Sequence, residues 1–212
     1  MGIMNKIKDH SLYLVISEEC CMGRDALEIA ERAIDGGVDI VQMREKNKPA
    51  TELLRMAKKL SALCKYKGVL FIVNDDPLLA READADGVHL GQEDMEKFPI
   101  KEARGIIGSD KIIGVSTHSI KQFIQANDGP ADYLAFGPIF ETRTKDYHIG
   151  VGDVEEVARM AKKPVFFIGG INFSNIGDLL KMGAKRIALI RGITEADNIT
   201  LRTKEFKEAL KY

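Results

Sequence analysis

The sequence predicts an α/β fold, a (β/α)8 or TIM barrel formed as a single domain over residues 1–212, and three observations predict it. Short apolar runs recur along the chain, each followed by a longer stretch of helical period, and the alternation amounts to eight strand–helix units. No Pro-, Gly- or Ser-rich linker interrupts it. The apolar runs are continuous, as they are in parallel strands covered on both faces. An open doubly wound sheet is the alternative. It would normally carry a Gly-rich phosphate turn after its first strand, and Ser17-Glu-Glu-Cys-Cys21 is not one.

The first run is Tyr13-Leu-Val-Ile-Ser17, followed by an amphipathic helix over 24–34 that Gly36-Gly37 closes. Asp39-Ile-Val-Gln-Met43 precedes a helix over 50–66, where Leu53, Ala57, Leu60 and Leu63 share one face. Val69-Leu-Phe-Ile-Val73 precedes a short helix over 77–83, with Pro77 at the tolerated first position. Asp86-Gly-Val-His-Leu90 leads into a loop and then a helix over 100–107. Lys111-Ile-Ile-Gly-Val115 precedes a helix over 119–126, with Ser119 as its N-cap. Asp132-Tyr-Leu-Ala-Phe136 carries a long loop before a helix over 154–161. Pro164-Val-Phe-Phe-Ile168 precedes 174–182, and Arg186-Ile-Ala-Leu-Ile190 precedes a last helix over 201–210.

Composition is that of an ordinary soluble protein, 45% hydrophobic and 30% charged. Lys+Arg 31 against Asp+Glu 32 leaves no basic footprint for nucleic acid, so cations used for anions must be local. No apolar run approaches the ~18 residues of a membrane span. The start, Met1-Gly-Ile-Met-Asn-Lys-Ile-Lys8, reads as neither a signal nor a transit peptide, and Lys6 argues against lipidation. Cys20, Cys21 and Cys64 match no zinc spacing; reduced thiols in a cytoplasmic protein are the simple reading.

Barrel chemistry collects at the carboxyl ends of the strands, so the polar residues after each run are the candidates. The second run ends in Gln42-Met43-Arg44-Glu45-Lys46, where alternation would aim Gln42, Arg44 and Lys46 to one side. Asn74-Asp75-Asp76-Pro77 follows the third, and reads equally well as a helix cap. Gly91-Gln92-Glu93-Asp94 follows the fourth. Asp75 and Asp94, from adjacent strand ends, could share one Mg²⁺ also bound by substrate phosphates. His89, inside the fourth run, reads as a hydrogen-bonded core histidine. Ser116, Thr117 and His118 follow the fifth run; His118 is either an acid/base or a solvent-exposed helix-start residue.

After the sixth run comes Gly137-Pro-Ile-Phe-Glu-Thr-Arg-Thr-Lys145, where Thr142, Thr144 and Lys145 suit a phosphate or pyrophosphate. Gly169-Gly170 after the seventh run permits close approach of backbone to a ligand. Ile190-Arg191-Gly192 at the end of the eighth places a cation beside it. The inventory is two anion-binding regions and one carboxylate pair, with no Ser-His-Asp spacing and no nucleotide fingerprint.

These motifs in this order resemble the thiamine phosphate synthase family, and the likeness covers the chain after about Leu12. It rests on Gln42-Met-Arg-Glu-Lys46, Asn74-Asp75, Gly87-Val-His-Leu-Gly-Gln-Glu-Asp94, Gly114-Val-Ser-Thr-His118, Gly137 to Lys145 and Gly169-Gly170-Ile171. The resemblance implies a Mg²⁺-dependent transferase that joins hydroxymethylpyrimidine pyrophosphate to a thiazole phosphate and releases pyrophosphate. It implies that Gln42 orients the pyrimidine and that Arg44, Lys46, Asn74 and Lys145 hold the pyrophosphate. Asp75 and Asp94 would bind Mg²⁺, Ser116 would contact the pyrimidine–pyrophosphate end, and Thr142, Thr144, Gly169 and Gly170 would take the thiazole phosphate. Two departures stand out: Glu141 where the family has Pro, and Ile190-Arg191 where it has a Val-Ser or Ile-Ser pair. Arg191 is then expected to replace that Ser as a phosphate ligand. A related thiazole tautomerase, with a His in a context like Thr117-His118-Ser119, is the rival, and a catalytically silent carrier of thiamine intermediates is a third reading. A homodimer is a possible assembly.

Overall fold

The computed structural model describes residues 7–211; most of the stretch read for targeting signals lies outside them. Eight parallel strands pair in chain order and the last closes on the first. They are β1 Leu12–Ile16, β2 Ile40–Met43, β3 Leu70–Asn74, β4 Gly87–Leu90, β5 Ile112–Thr117, β6 Tyr133–Phe136, β7 Val165–Ile168 and β8 Ile187–Leu189. The barrel is as expected.

Around it run α1 Ala26–Asp35, α2 Ala50–Lys67, α3 Pro77–Glu82, α4 Asp94–Lys97 and α5 Ile100–Ile107. The ring continues through α6 Ile120–Asn127, α7 Val154–Met160, α8 Ile176–Lys181, α9 Arg191–Thr194 and α10 Ile199–Ala209. The caps follow from local chemistry: Asp25 accepts from Leu27 N, Ser119 from Gln122 N and Asn198 from Leu201 N. Two one-turn helices, α4 and α9, depart from expectation, since the sequence places Asp94 in a loop and Arg191 at a strand end. Both turns are held by contacts that propensity does not report. Gly91 N donates to Asp94 Oδ2 at 3.0 Å, and the buried Thr194 hydroxyl donates to Cys20 O at 2.7 Å.

Strand alternation divides the apolar residues into two cores. Leu12, Leu14, Ile16, Val41, Met43, Phe71, Val73, Ile113 and Val115 point out against the helices. Tyr13, Val15, Ile40, Leu70, Ile72, Ile112, Tyr133, Phe166 and Ala188 point in and fill the barrel, with Ile7 packed against them. Gln42 and His89 occupy inward positions among these apolar residues and are buried.

At the amino end an aspartate stands immediately before each of β2, β4 and β6. Asp39 Oδ2 accepts from Leu12 N at 2.9 Å, Asp86 Oδ2 from Phe71 N at 2.9 Å and Asp132 Oδ2 from Ile113 N at 2.7 Å. Each pins its strand to the preceding one. Lys207 and Arg104 neutralise two of them, each at 2.5 Å.

Candidate active site

The carboxyl ends of the strands open into a cavity of about 1410 Å³, beyond the ~300–1,000 Å³ usual for one small ligand. Its floor is the top of the barrel interior: Tyr13, Val15, Gln42, His89, Ser116, Ala135, Phe166 and Ile168. Its rim is polar. Arg44, Asn74, His118, Thr142, Thr144, Lys145, Gly169, Gly170, Ile190 and Arg191 all line it.

Period-two alternation, however, stops at Met43. Beyond it Arg44 N donates to Ile16 O at 2.9 Å and the Glu45 carboxylate accepts from Glu18 N at 2.5 Å, turning the chain aside. Arg44 therefore faces the main cavity, whereas Lys46 lines a smaller neighbouring cleft of about 230 Å³ that Arg44 also borders. The expected one-sided set of Gln42, Arg44 and Lys46 does not form around one cavity.

The Asn74-Asp75-Asp76-Pro77 stretch contains both of its readings. Asp76 is the helix cap and accepts from Leu78 N and Leu79 N. Asp75 is left for another role. Its backbone has a positive φ of 66°, a conformation Asp tolerates better than most residues, and its N–H donates to His89 O at 2.8 Å. Its carboxyl group meets that of Asp94. Burial first, then this hydrogen bond and the Asp94 charge, push Asp75 up to about 7, against the pull of Lys46 and Arg44. Among the described residues no cluster of three or more His, Cys, Asp or Glu is present. The donor set is this carboxylate pair, which suits Mg²⁺, an ion usually held by one or two protein carboxylates and completed by water and substrate phosphate.

A hydrogen-bonded chain crosses the floor. Gln42 Nε2 donates to Tyr13 Oη at 2.7 Å, the Tyr13 and Tyr133 hydroxyls lie 2.9 Å apart, and Tyr133 Oη is 3.0 Å from His89 Nδ1. His89 Nε2 lies 2.8 Å from Ser116 Oγ. Burial holds His89 down to about 4, so the ring is neutral. The expectation of a hydrogen-bonded core histidine holds, yet His89 also lines the cavity. Tyr13 and Tyr133 are absent from the sequence-based candidates. The available signal is polar-tipped aromatics at inward strand positions, with Gly114 facing Tyr133: a Cβ at Gly114 would lie 2.0 Å from the Tyr133 ring.

On the opposite rim His118 Nδ1 donates to Gly137 O at 2.5 Å, and its ring packs edge-on to Tyr147. Thr142 and Lys145 form an isolated bridge that closes the loop, and Lys145 Nζ lies 5.9 Å from the Tyr147 ring centroid. Arg191 donates to Thr144 Oγ1 at 2.7 Å and pairs with Glu195 at 3.3 Å, and Glu195 also takes Arg143 at 2.6 Å. Arg191 thus braces the Thr142–Lys145 loop against the end of β8. Gly169 and Gly170 have positive φ of 101° and 65°. Added Cβ atoms would strike Pro138 at 2.3 Å and Glu141 O at 2.4 Å, so both glycines are also required for packing of the β6 loop.

A barrel with anion-binding groups on its rim and a carboxylate pair beside them fits several chemistries; the comparison with known proteins decides among them. The family model described as thiamine monophosphate synthase, TMP-TENI, matches residues 12–193. The chain belongs to that family. A thiamine-phosphate synthase from Persephonella marina is 39% identical over 204 residues, 95% of this chain and 96% of the relative. One from Halalkalibacterium halodurans is 41% identical over 196 residues, 91% of this chain and 92% of the relative. The solved thiamine phosphate pyrophosphorylase from Pyrococcus furiosus superposes with a TM-score of 0.86 at 33% identity, over 99% of this chain and 98% of that one. Glu141 is exposed on the rim, and Arg191, Glu195 and Arg143 form an ion-paired cluster there.

Proposed function

We propose that the chain condenses hydroxymethylpyrimidine pyrophosphate with a thiazole phosphate to give thiamine phosphate and pyrophosphate. The observation that carries this is one cavity, large enough for two ligands, with anion-binding groups on two sides of its rim and an uncharged floor. The thiazole ring nitrogen supplies the electron pair for the new C–N bond, and the C–O bond to pyrophosphate breaks with its electrons on the leaving oxygen. That nitrogen carries no proton to remove, so no general base is needed. The demand falls on leaving-group charge.

In this reading Arg44 and Lys145 meet the pyrophosphate inside the cavity together with Asn74, and Lys46 attracts it from the adjoining cleft. Gln42 and Ser116 orient the pyrimidine from the floor. Thr142, Thr144, Gly169, Gly170, Ile190 and Arg191 surround the thiazole phosphate. Mg²⁺ held by Asp75 and Asp94 would neutralise charge on the departing pyrophosphate. Placing two ionisable carboxyl groups in contact is unfavourable unless a proton or a cation separates them, which is the reason to assign the cation there.

The cysteines take no part: all three are free and buried, and burial pushes Cys21 and Cys64 up to about 12. Free thiols suit the cytoplasm. Among the described residues no helix is long and apolar enough to cross a membrane.

One observation favours a second reading. The His118 Nδ1–H bond to Gly137 O leaves Nε2 as an acceptor, which a thiazole tautomerase would use as its base. The carboxylate pair and the complete Thr142–Lys145 loop favour the synthase. Purified protein given both substrates and Mg²⁺ should release pyrophosphate and form thiamine phosphate. Metal-independent isomerisation of a thiazole carboxylate, without thiamine phosphate, would replace this proposal with the tautomerase.

A further inference from the structure

The chain of side chains across the floor has a direction. We propose that Tyr13, Tyr133 and His89 form a polarised hydrogen-bond chain that fixes Gln42 as an acceptor and Ser116 as a donor toward the bound pyrimidine, with Tyr133 as the positioning residue. This rests on the synthase reading for the identity of the ligand; the polarity itself rests on geometry alone.

The Gln42 amide nitrogen faces Tyr13 Oη, so Tyr13 receives a hydrogen there. The only other partner of the Tyr13 hydroxyl among the described residues is Tyr133 Oη, so Tyr13 must donate to it. Tyr133, having accepted, donates to His89 Nδ1. Nδ1, as the acceptor of that bond, carries no hydrogen, so the ring N–H sits on Nε2 and points at Ser116 Oγ. The Ser116 hydroxyl hydrogen is therefore turned away from His89, toward the cavity that Ser116 lines. At the other end the Gln42 side chain also meets Tyr133; with its nitrogen turned to the tyrosines, Oε1 is left for the cavity that Gln42 lines. Gln42 and Ser116 thus present a complementary pair, one acceptor and one donor, to a ring bearing an amino group and ring nitrogens.

The rings are held rigidly enough for this order to persist. Tyr13 and Tyr133 both pack edge-on against Phe166, at 5.2 and 5.7 Å between centroids. The Tyr133 ring occupies space that any side chain at Gly114 would fill. Reversing the Gln42 amide would reverse every hydrogen in the chain and put Nδ1–H on His89, so the tautomer of His89 reports the polarity. His118 provides an internal contrast, because its Nδ1 faces a carbonyl and must carry the hydrogen.

The full chain labelled with ¹⁵N-histidine, with no substrate present, gives the tautomer directly from long-range ¹⁵N–¹H correlations, His89→Gln identifying the resonances. His89 should be the Nε2–H tautomer and His118 the Nδ1–H tautomer. Tyr133→Phe should remove the hydrogen bond to Nδ1 and shift or mix the His89 signals. An Nδ1–H His89 in the unaltered protein would overturn the proposal.

A kinetic cycle supplies the second readout. Tyr133→Phe and Ser116→Ala should each raise KM for the pyrimidine pyrophosphate by about three- to tenfold, the range of one hydrogen bond, with KM for the thiazole phosphate nearly unchanged. Tyr133→Phe should then add little in the Ser116→Ala background; additive effects would show that Tyr133 does not act through Ser116. If no thiamine phosphate forms while His89 is Nε2–H, the functional reading fails and the polarity stands.

Discussion

The two ends of the barrel use the same residue in opposite ways. At the amino end Asp39 and Asp132 each meet a strand N–H and a cation, and Asp86 meets the N–H of Phe71. At the carboxyl end Asp75 faces another carboxyl group, Asp94, and is pushed up to about 7. A carboxylate whose charge is already compensated within the fold contributes to stability. Carboxyl groups held against each other under partial burial lower stability and leave a place for an ion. The difference separates aspartates that serve the fold from those assigned to the proposed function, where composition cannot.

Breaking the functional side should have the largest effect. Asp94→Ala removes half the carboxylate pair, and turnover should fall by about 100-fold or more at any Mg²⁺ concentration, while Tm changes little or rises. Near-normal turnover would dissociate the pair from catalysis. The structural side breaks differently. Asp132→Ala leaves Ile113 N and Arg104 without their partner beneath the barrel and should cost about 3 kcal/mol in denaturant unfolding. Turnover per folded molecule should be retained; a loss of turnover at full foldedness would erase the distinction between the ends.

The rim gives an intermediate effect. If Arg191 holds the acceptor phosphate as proposed, Arg191→Ala loses one charged hydrogen bond to it and should raise KM for the thiazole phosphate by about ten- to a hundredfold. If the arginine serves only to brace Thr144 and Glu195, KM for both substrates will move together instead. A tighter-binding Arg191→Ser would mark the arginine as an obstruction and point to a different acceptor.

A pH comparison sharpens the carboxylate pair further. Asp75 has a folded value raised above its unfolded one, so its contribution to stability is present below about 4 and is lost as pH rises through about 7. His89, held down to about 4, acts in the opposite sense: its contribution is present above about 6.5 and lost as pH falls through about 4. If Mg²⁺ binds the pair as proposed, its binding isolates the first from the second, because below about 7 the ion would have to displace the proton on Asp75. At one sub-saturating Mg²⁺ concentration the rise in Tm should be larger at about pH 8 than at about pH 6. An equal rise at both would mean that the ion binds elsewhere. The smallest effect is expected at His118: His118→Asn should lower thiamine phosphate formation only a few-fold, at most about tenfold, since no proton transfer is assigned to it. Complete loss with both substrates still bound would make His118 catalytic.

The sequence by itself determined the barrel, because continuous apolar runs separated by helical periods leave parallel strands wrapped in helices as the way to bury both faces of each strand. It also marked the residues that follow each strand, and many of them line the cavity, Arg44, Asn74, Thr142, Thr144, Lys145, Gly170 and Arg191 on its rim and Ser116 on its floor. Lys46, Asp75 and Asp94 are not in its lining. Tertiary structure alone decided the rest. Local pattern cannot say whether Asp75 or Asp76 caps α3, because the answer depends on Asp94 arriving from the next strand end. It extends alternation to Lys46, although the turn after Met43 is set by a hydrogen bond between Glu45 and Glu18, residues from different loops. Nor can it see that Tyr13, Tyr133 and His89 form one chain, since the two tyrosines are 120 positions apart and meet only when the sheet closes on itself. Side-chain direction within a strand is local and periodic, so sequence carries it; the partner that a polar atom finds across a barrel is fixed by closure and register, which arise only in the folded chain.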